Sequence, residues 1–264
     1  MEKSFPPDSY HAGCSVCGRA QYFARQAYAI RETYRCIDCH ASLREREQAS
    51  AILDCYAPTG TTSLAELVKL PSFASLQIYE PGTSGALRSV LQQLPFYRQS
   101  DYFVPEEREK QTPQVPHQDL QALDYPDQSF DLVLTSDILE HVRHPHRALW
   151  EIARVLKPGG RHIFTVPLQD PMPPESISRV DVSDAVDRHL LPPHYHGDGK
   201  GGRSLVYTDF GADIADLAYS AGLATRYRRG MTTSATANAA ITLISTRMPV
   251  SVRAAQHPLQ SLPD

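Results

Sequence analysis

The chain has 264 residues, 41% of them hydrophobic, and a formal net charge of −4. Its length holds one ordinary α/β domain plus a small appendage, and its apolar content excludes a disordered or fibrous chain. The mild acidic balance gives no electrostatic case for gripping a polyanion with the whole surface. No apolar run approaches the ~20 residues needed to span a bilayer.

Residues 1–8 show no apolar stretch behind a basic start, so no secretory signal is expected and the chain reads as cytoplasmic. Cys14 and Cys17 form one CxxC pair and Cys36 and Cys39 a second, with 18 residues between them. Each pair aims two sulfurs at one point. Two pairs complete a tetrahedral cage for a structural Zn²⁺ and leave no position open for substrate. Gly18 suits the backbone where the chain leaves the first pair. Residues 20–24 and 29–35, with Tyr22, Phe23 and Tyr34, predict the two short strands of a zinc ribbon over residues 1–44. His11 and His40 flank the cage, and Cys55 reads as a lone half-buried thiol.

Residues 42–53 predict a helix leaving the ribbon, and residues 63–70 a second one stopped by Pro71. A strand over 76–80 runs into Pro81 and Gly82 and is followed by a helix through residue 93. Further strands are predicted over 97–103, 115–119, 130–136, 161–166, 223–228 and 239–246. Helices are predicted over 145–156, where Trp150 is expected to pack, and over 209–221. The first of these stops at a turn of Lys157, Pro158, Gly159 and Gly160. The alternation predicts an α/β fold with a doubly wound, mostly parallel seven-stranded sheet over residues 45–249. Ligands of such sheets sit beyond the carboxyl ends of the strands, which puts weight on residues 80–85, Asp101, Asp119 and 136–141. Residues 167–206, rich in proline, glycine and histidine, predict an inserted lid. Residues 250–264 read as a flexible tail with no assigned role.

Four stretches carry a family resemblance. They are Glu80-Pro81-Gly82-Thr83-Ser84-Gly85; Asp119-Leu120 ahead of Tyr125 to Asp131; Ser136-Asp137-Ile138-Leu139-Glu140-His141; and Leu156-Lys157-Pro158-Gly159-Gly160. In this order the chain resembles the class I, type 11 S-adenosylmethionine-dependent methyltransferases over residues 76–167. The resemblance implies S-adenosylmethionine as cofactor, with Gly82 and Gly85 admitting it close to the backbone and Glu80 holding the loop and the cofactor's ammonium. It implies Asp101 on the ribose hydroxyls, Asp119 and the Leu120 N–H on the adenine, and Ser136 and Ile138 beside the methionine portion. Ser84 and Ala86 stand where the family commonly has glycine, which predicts a reshaped first loop.

On the acceptor side, residues 167–206 look similar to a zinc-ribbon subgroup of bacterial methyltransferases. His141, His194 and His196 are the candidate bases. The leading expectation is methyl transfer to a small-molecule acceptor, a sugar or other metabolite oxygen. The alternatives are an RNA methyltransferase anchored by the ribbon, whose Arg19, Arg25, Arg31, Arg35, Arg44 and Arg46 make the front locally basic, and a non-catalytic binding module on the same fold.

Overall fold

The computed structural model describes residues 9–26, 29–110, 112–230 and 240–249; the tail expected at 250–264 lies outside them. Strand β1 (Tyr10–Gly13) pairs antiparallel with β2 (Ala20–Phe23), so this hairpin wraps around the first cysteine pair. The strand expected at 29–35 does not form, and Ile30–Glu32 is a single 3-10 turn. Its charged side chains have partners elsewhere, Arg31 on Asp137 and Glu32 on Arg44, which hold the segment out of a ladder.

Helix α1 (Leu43–Tyr56) opens with a capping box in which the Ser42 and Glu45 side chains each accept the other's backbone N–H. Helix α2 (Leu64–Leu67) repeats the device with Ser63 and Glu66. It is shorter than the helix expected over 63–70. Pro71, expected as a stop, instead opens α3 (Pro71–Ala74) at the first helical position, where its missing N–H is of no consequence.

The central elements follow as β3 (Ile78–Pro81), α4 (Ala86–Leu91), β4 (Tyr97–Ser100), β5 (Phe130–Ser136), α5 (Pro145–Val155) and β6 (Leu156–Thr165). The insertion is not a bare loop. It holds β7 (Ile177–Ser178), β8 (Val180–Asp181), β9 (Arg188–His189), β10 (Tyr195–Gly197), β11 (Arg203–Leu205) and β12 (Thr208–Asp209), paired antiparallel as β7 with β12, β8 with β9 and β10 with β11. Helix α6 (Ile214–Ser220) starts later than residue 209 because Thr208 and Asp209 are taken by β12. Strands β13 (Leu223–Arg229) and β14 (Ile241–Arg247) complete the sheet.

The sheet order is β13-β14-β6-β5-β3-β4, and only β14 runs against its neighbours. Among the described residues it has six strands where seven are expected. Residues 115–119 meet the end of β4 through an isolated parallel bridge between Asp101 and His117, and Pro113 and Pro116 have no N–H to extend it. Lys157 to Gly160, expected as a turn, belong to β6 and are absorbed by a register shift opposite Phe130 and Leu132.

Alternate strand residues feed two cores. Ile78, Leu132, Leu134, Ile163 and Ile244 face α1 and α4, while Tyr79, Val133, Phe164 and Leu243 face α5 and α6. The first core also contains Cys14, Val16, Phe23 and Tyr34, so the ribbon and one sheet face share a single hydrophobic cluster. Trp150 does not pack as expected. It lies off the inward stripe of Ala148, Leu149 and Ile152 and is 55% exposed. No helix among the described residues is long and apolar enough to cross a membrane.

Candidate active site and metal centre

The two cysteine turns have the same backbone. Gly18 N–H donates to Cys14 O at 2.7 Å and His40 N–H to Cys36 O at 2.9 Å. Both Gly18 (φ 82°) and His40 (φ 59°) are left-handed, so His40 does a glycine's work after the second pair. The Sγ atoms of Cys14 and Cys39 lie 3.7 Å apart, and those of Cys17 and Cys36 3.6 Å apart. Sulfurs at about 2.3 Å from a central zinc stand about 3.8 Å apart at tetrahedral angles, so the four residues fit that ion. Gln21 Nε2 donates to Cys36 Sγ at 2.8 Å while its carbonyl takes the Ile37 N–H, fixing one ligand from outside. A hydrogen bond from Cys39 holds the Cys14 thiol down to about 5, and burial pushes Cys17 up to about 11. His11 lies against Tyr22 and, like His40, is outside the cluster of ligand atoms.

The chain leaves β3 through Gly82 (φ 97°) and Gly85 (φ 114°), conformations that a side chain rarely adopts. Glu80 is buried and accepts the Tyr97 hydroxyl at 2.7 Å, and burial pushes its carboxyl up to about 7. Thr83 Oγ1 donates to Asp101 at 3.1 Å, so the turn and the end of β4 are tied together. Lys200, from the tip of the β10–β11 hairpin, closes an ion pair onto the same Asp101 carboxylate. Gly199 comes so close that a Cβ there would stand 2.7 Å from Ser84 Oγ. The insertion therefore reaches across the sheet edge onto the expected cofactor loop. Asp119 is engaged locally by Gln121, whose backbone N–H reaches Oδ1 at 2.9 Å, and Leu120 beside it is buried.

At the switch in strand order, between β3 and β5, Ser136 Oγ donates to Gln48 Oε1 at 2.5 Å. Gln48 is wholly buried and gives its own N–H groups to Thr135 O and Ile163 O, both at 3.1 Å. Asp137 is left-handed (φ 51°) and is held by Arg31 at 2.8 Å, Arg44 at 3.2 Å and Thr165 Oγ1 at 2.9 Å. Burial works to raise its pKa, and the two guanidiniums overcome that and hold it low. Thus the ribbon's arginines bear directly on the segment from Ser136 to His141. Ile138 is partly buried against the second core.

The three expected histidines come together. His141 and His196 have ring centroids 5.1 Å apart, and His194 and His196 4.9 Å apart. Between His141 and His196 stands Glu140, 1% exposed, with Oε1 3.8 Å from His141 Nε2 and 3.7 Å from His196 Nδ1. Burial raises the Glu140 pKa against the pull of His196. A cleft of about 350 Å³ lies nearby, lined in part by Arg143, His144, Ser178, Thr208 and Tyr207, whose N–H donates to Glu140 O at 2.7 Å.

Sequence reading therefore missed Glu140, Lys200, Gln48 and the Arg31–Arg44 clamp. Glu140 stood next to a chosen histidine, and only its lack of solvent distinguishes it. Lys200 and Gln48 act across 99 and 88 residues of chain, respectively, a relation with no local signal.

Residues 91–164 match the family described as "Methyltransferase domain". Over 75 residues the chain is 39% identical to the ubiquinone/menaquinone biosynthesis C-methyltransferase UbiE of Vibrio campbellii, covering 27% of this chain and 26% of that protein. It is 35% identical over 106 residues to an uncharacterised 37.1 kDa protein in transposon TN4556 of Streptomyces fradiae, covering 40% and 28%. The chain thus spans about a quarter of the length of the curated relatives it matches. Among solved structures, an S-adenosylmethionine-dependent methyltransferase from Mesorhizobium loti overlays 68% of this chain and 94% of its own at 17% identity and a TM-score of 0.43. Residues 91–164 thus resemble a methyltransferase domain. The match begins after the Gly82–Gly85 turn, so that turn rests on its own geometry.

Proposed function

We propose that this chain transfers a methyl group from S-adenosylmethionine to an oxygen of a small molecule, such as a sugar or another metabolite. The observation that carries this reading is convergence. The Gly82–Gly85 turn, Asp101 and Ser136 lie at the carboxyl ends of parallel strands, and one inserted hairpin carries both Lys200, on Asp101, and His196, beside His141 and His194 with Glu140 between His141 and His196.

Bound there, S-adenosylmethionine supplies a methyl group on a sulfonium already activated for displacement. The chain's part is to hold, align and enclose. Gly82 and Gly85 admit the cofactor to the backbone, with Glu80 fixing the turn from beneath. Asp101 takes the ribose hydroxyls, Asp119 and the Leu120 N–H take the adenine, and Ser136 and Ile138 border the methionine portion. Alignment of acceptor and methyl group in line is worth up to about 7–11 kcal/mol in well-oriented systems. The proton of an acceptor hydroxyl goes to one of His141, His194 and His196, the candidate bases. The Cys14, Cys17, Cys36 and Cys39 cage is a structural zinc site in this reading.

A nucleic-acid acceptor is disfavoured by the ribbon's own arginines. Arg31 and Arg44 are engaged by Asp137, and Arg46 lies buried over the Phe23 ring at 3.7 Å. Of the six arginines of the front, that leaves Arg19, Arg25 and Arg35 exposed for a phosphate backbone.

Calorimetric titration of the zinc-loaded chain with S-adenosylmethionine tests the proposal. Charge-assisted hydrogen bonds contribute about 1.5–3 kcal/mol each, so Asp101→Ala is expected to weaken binding at least ~10-fold. Lys200→Ala is expected to bind as well as the parent or better, because it frees that carboxylate. No binding by the parent chain would sink the enzyme reading.

A further inference from the structure

The group of Glu140, His141 and His196 deepens the acceptor side of the function proposed above. Three observations meet there. First, Glu140 is a carboxylate at 1% exposure, and among the described residues neither of its oxygens has a hydrogen-bond partner. A buried carboxylate with no hydrogen bond is costly, and native structures pair such groups or give them to a cation. Second, His141 Nδ1 lies 2.8 Å from Leu205 O, and a carbonyl can only accept. The proton is therefore on Nδ1, and Nε2 faces Glu140 Oε1 at 3.8 Å. A carboxylate oxygen and an imidazole Nε2 facing each other across that gap can share a cation. Third, the separations of 3.8 Å and 3.7 Å from Glu140 Oε1 to the two imidazoles are too long for hydrogen bonds. They fall within the ~4.2 Å that two metal–ligand bonds of about 2.1 Å can span.

We infer that Glu140, His141 and His196 form a second metal site, for a divalent transition metal, separate from the four-cysteine cage. The ligand atoms of the three residues lie within 4.8 Å of one another, so a small inward rotation of His196 completes the set. Two imidazoles and one carboxylate suit Zn²⁺, Fe²⁺, Mn²⁺ or Co²⁺ and leave coordination positions open. The outer contacts have the form expected of such a site, with the His141 Nδ1–H on a backbone carbonyl. The Tyr207 N–H on Glu140 O ties the end of the insertion to the turn that bears Glu140 and His141, and the Val206 N–H on His194 O closes the insertion on itself. His194, next to His196 and outside the ligand set, remains the group that accepts the acceptor's proton.

The test is metal stoichiometry on the full chain. Elemental analysis after equilibration with Zn²⁺ should give two equivalents for the parent, and one for Glu140→Gln and for His196→Ala. His194→Ala should keep two. Titration with Co²⁺ of protein carrying a single equivalent of zinc, in the thiolate cage, should produce visible d–d bands without the sulfur-to-cobalt charge-transfer band of that cage, and Glu140→Gln should abolish them. Circular dichroism and S-adenosylmethionine titration of the same samples report folding and the cofactor site separately. A variant that still binds cofactor but has lost the second equivalent therefore supports the metal site alone. A single equivalent in the parent, or a second equivalent unchanged in both ligand variants, overturns the proposal.

Discussion

His162 lies wholly buried, its ring stacked at 4.2 Å and 4° on Phe164 and its Nε2 2.9 Å from Thr135 Oγ1. Burial alone lowers its pKa to about 3, against 6.5 for a free side chain. The unfolded chain therefore binds a proton that the folded chain refuses between those values. The His162 contribution is fully present above pH ~6.5 and is lost as pH falls toward ~3, at no more than about 1.4 kcal/mol per pH unit. His162→Gln should flatten this acid limb in denaturant melts taken across that window, and an unchanged slope would show that the ring charges without cost. At this scale the sequence displayed chemistry but not environment. The cysteines declared themselves because spacing alone brings two sulfurs to a point, and His141, His194 and His196 were picked by residue type and placement. Burial decides the rest. Nothing local marks Glu140 as lacking solvent, nor Trp150 as facing it.

Helix α1 shows how one element can organise several others. Its Ser42–Glu45 capping box is an ordinary start signal, readable from the residues. Glu45 does more, since Oε1 also accepts the Ala86 N–H at 2.7 Å, at the first turn of α4. One carboxylate thus begins two helices, the second being the one that follows the Gly82–Gly85 turn. Glu45→Ala removes both bonds and leaves the buried Ala86 N–H unpaired, at about 1–3 kcal/mol for that group alone. It is expected to lower the melting temperature and to weaken S-adenosylmethionine binding together. Ser42→Ala should affect stability only, by about 1 kcal/mol. Loss of stability with cofactor affinity intact in Glu45→Ala would separate α1 from the site. Strands and helices with strong periodicity, such as β5 and α5, were legible from the residues. The failures came where backbone donors were missing, at Pro113 and Pro116, or where a partner lay far along the chain, as for residues 29–35. The short ladders of the insertion likewise left no periodic trace.

At the scale of the molecule, the ribbon is part of the core, not an attachment to it. Cys14, Val16, Phe23 and Tyr34 share one apolar cluster with Ile78, Leu132 and Ile163, and Arg31 and Arg44 grip Asp137 at the sheet's edge. Asp137 is partly buried and held by two guanidiniums, so removing Arg31 or Arg44 is expected to cost less than the ~3–5 kcal/mol of a fully buried pair. With zinc in the cysteine cage as proposed, stripping it with a strong chelator, or Cys36→Ser, should therefore lower a single cooperative melt of the whole chain. A separate early transition for the ribbon, with the main melt unmoved, would overturn that coupling. The doubly wound order could be foreseen from alternation, whereas this continuity could not, because it depends on which face of the sheet the ribbon covers. The hairpin of β10 and β11 has a consequence for order in time. It bears His196 at one end of the site and Lys200 at the other, within a few residues. If S-adenosylmethionine takes Asp101 as proposed, lifting Lys200 to admit it would also draw His196 away from Glu140. On the proposed function, the acceptor's half of the site is therefore assembled only after the cofactor is seated and the hairpin has settled. That makes the reaction sequential, with the cofactor first on and the spent nucleoside last off.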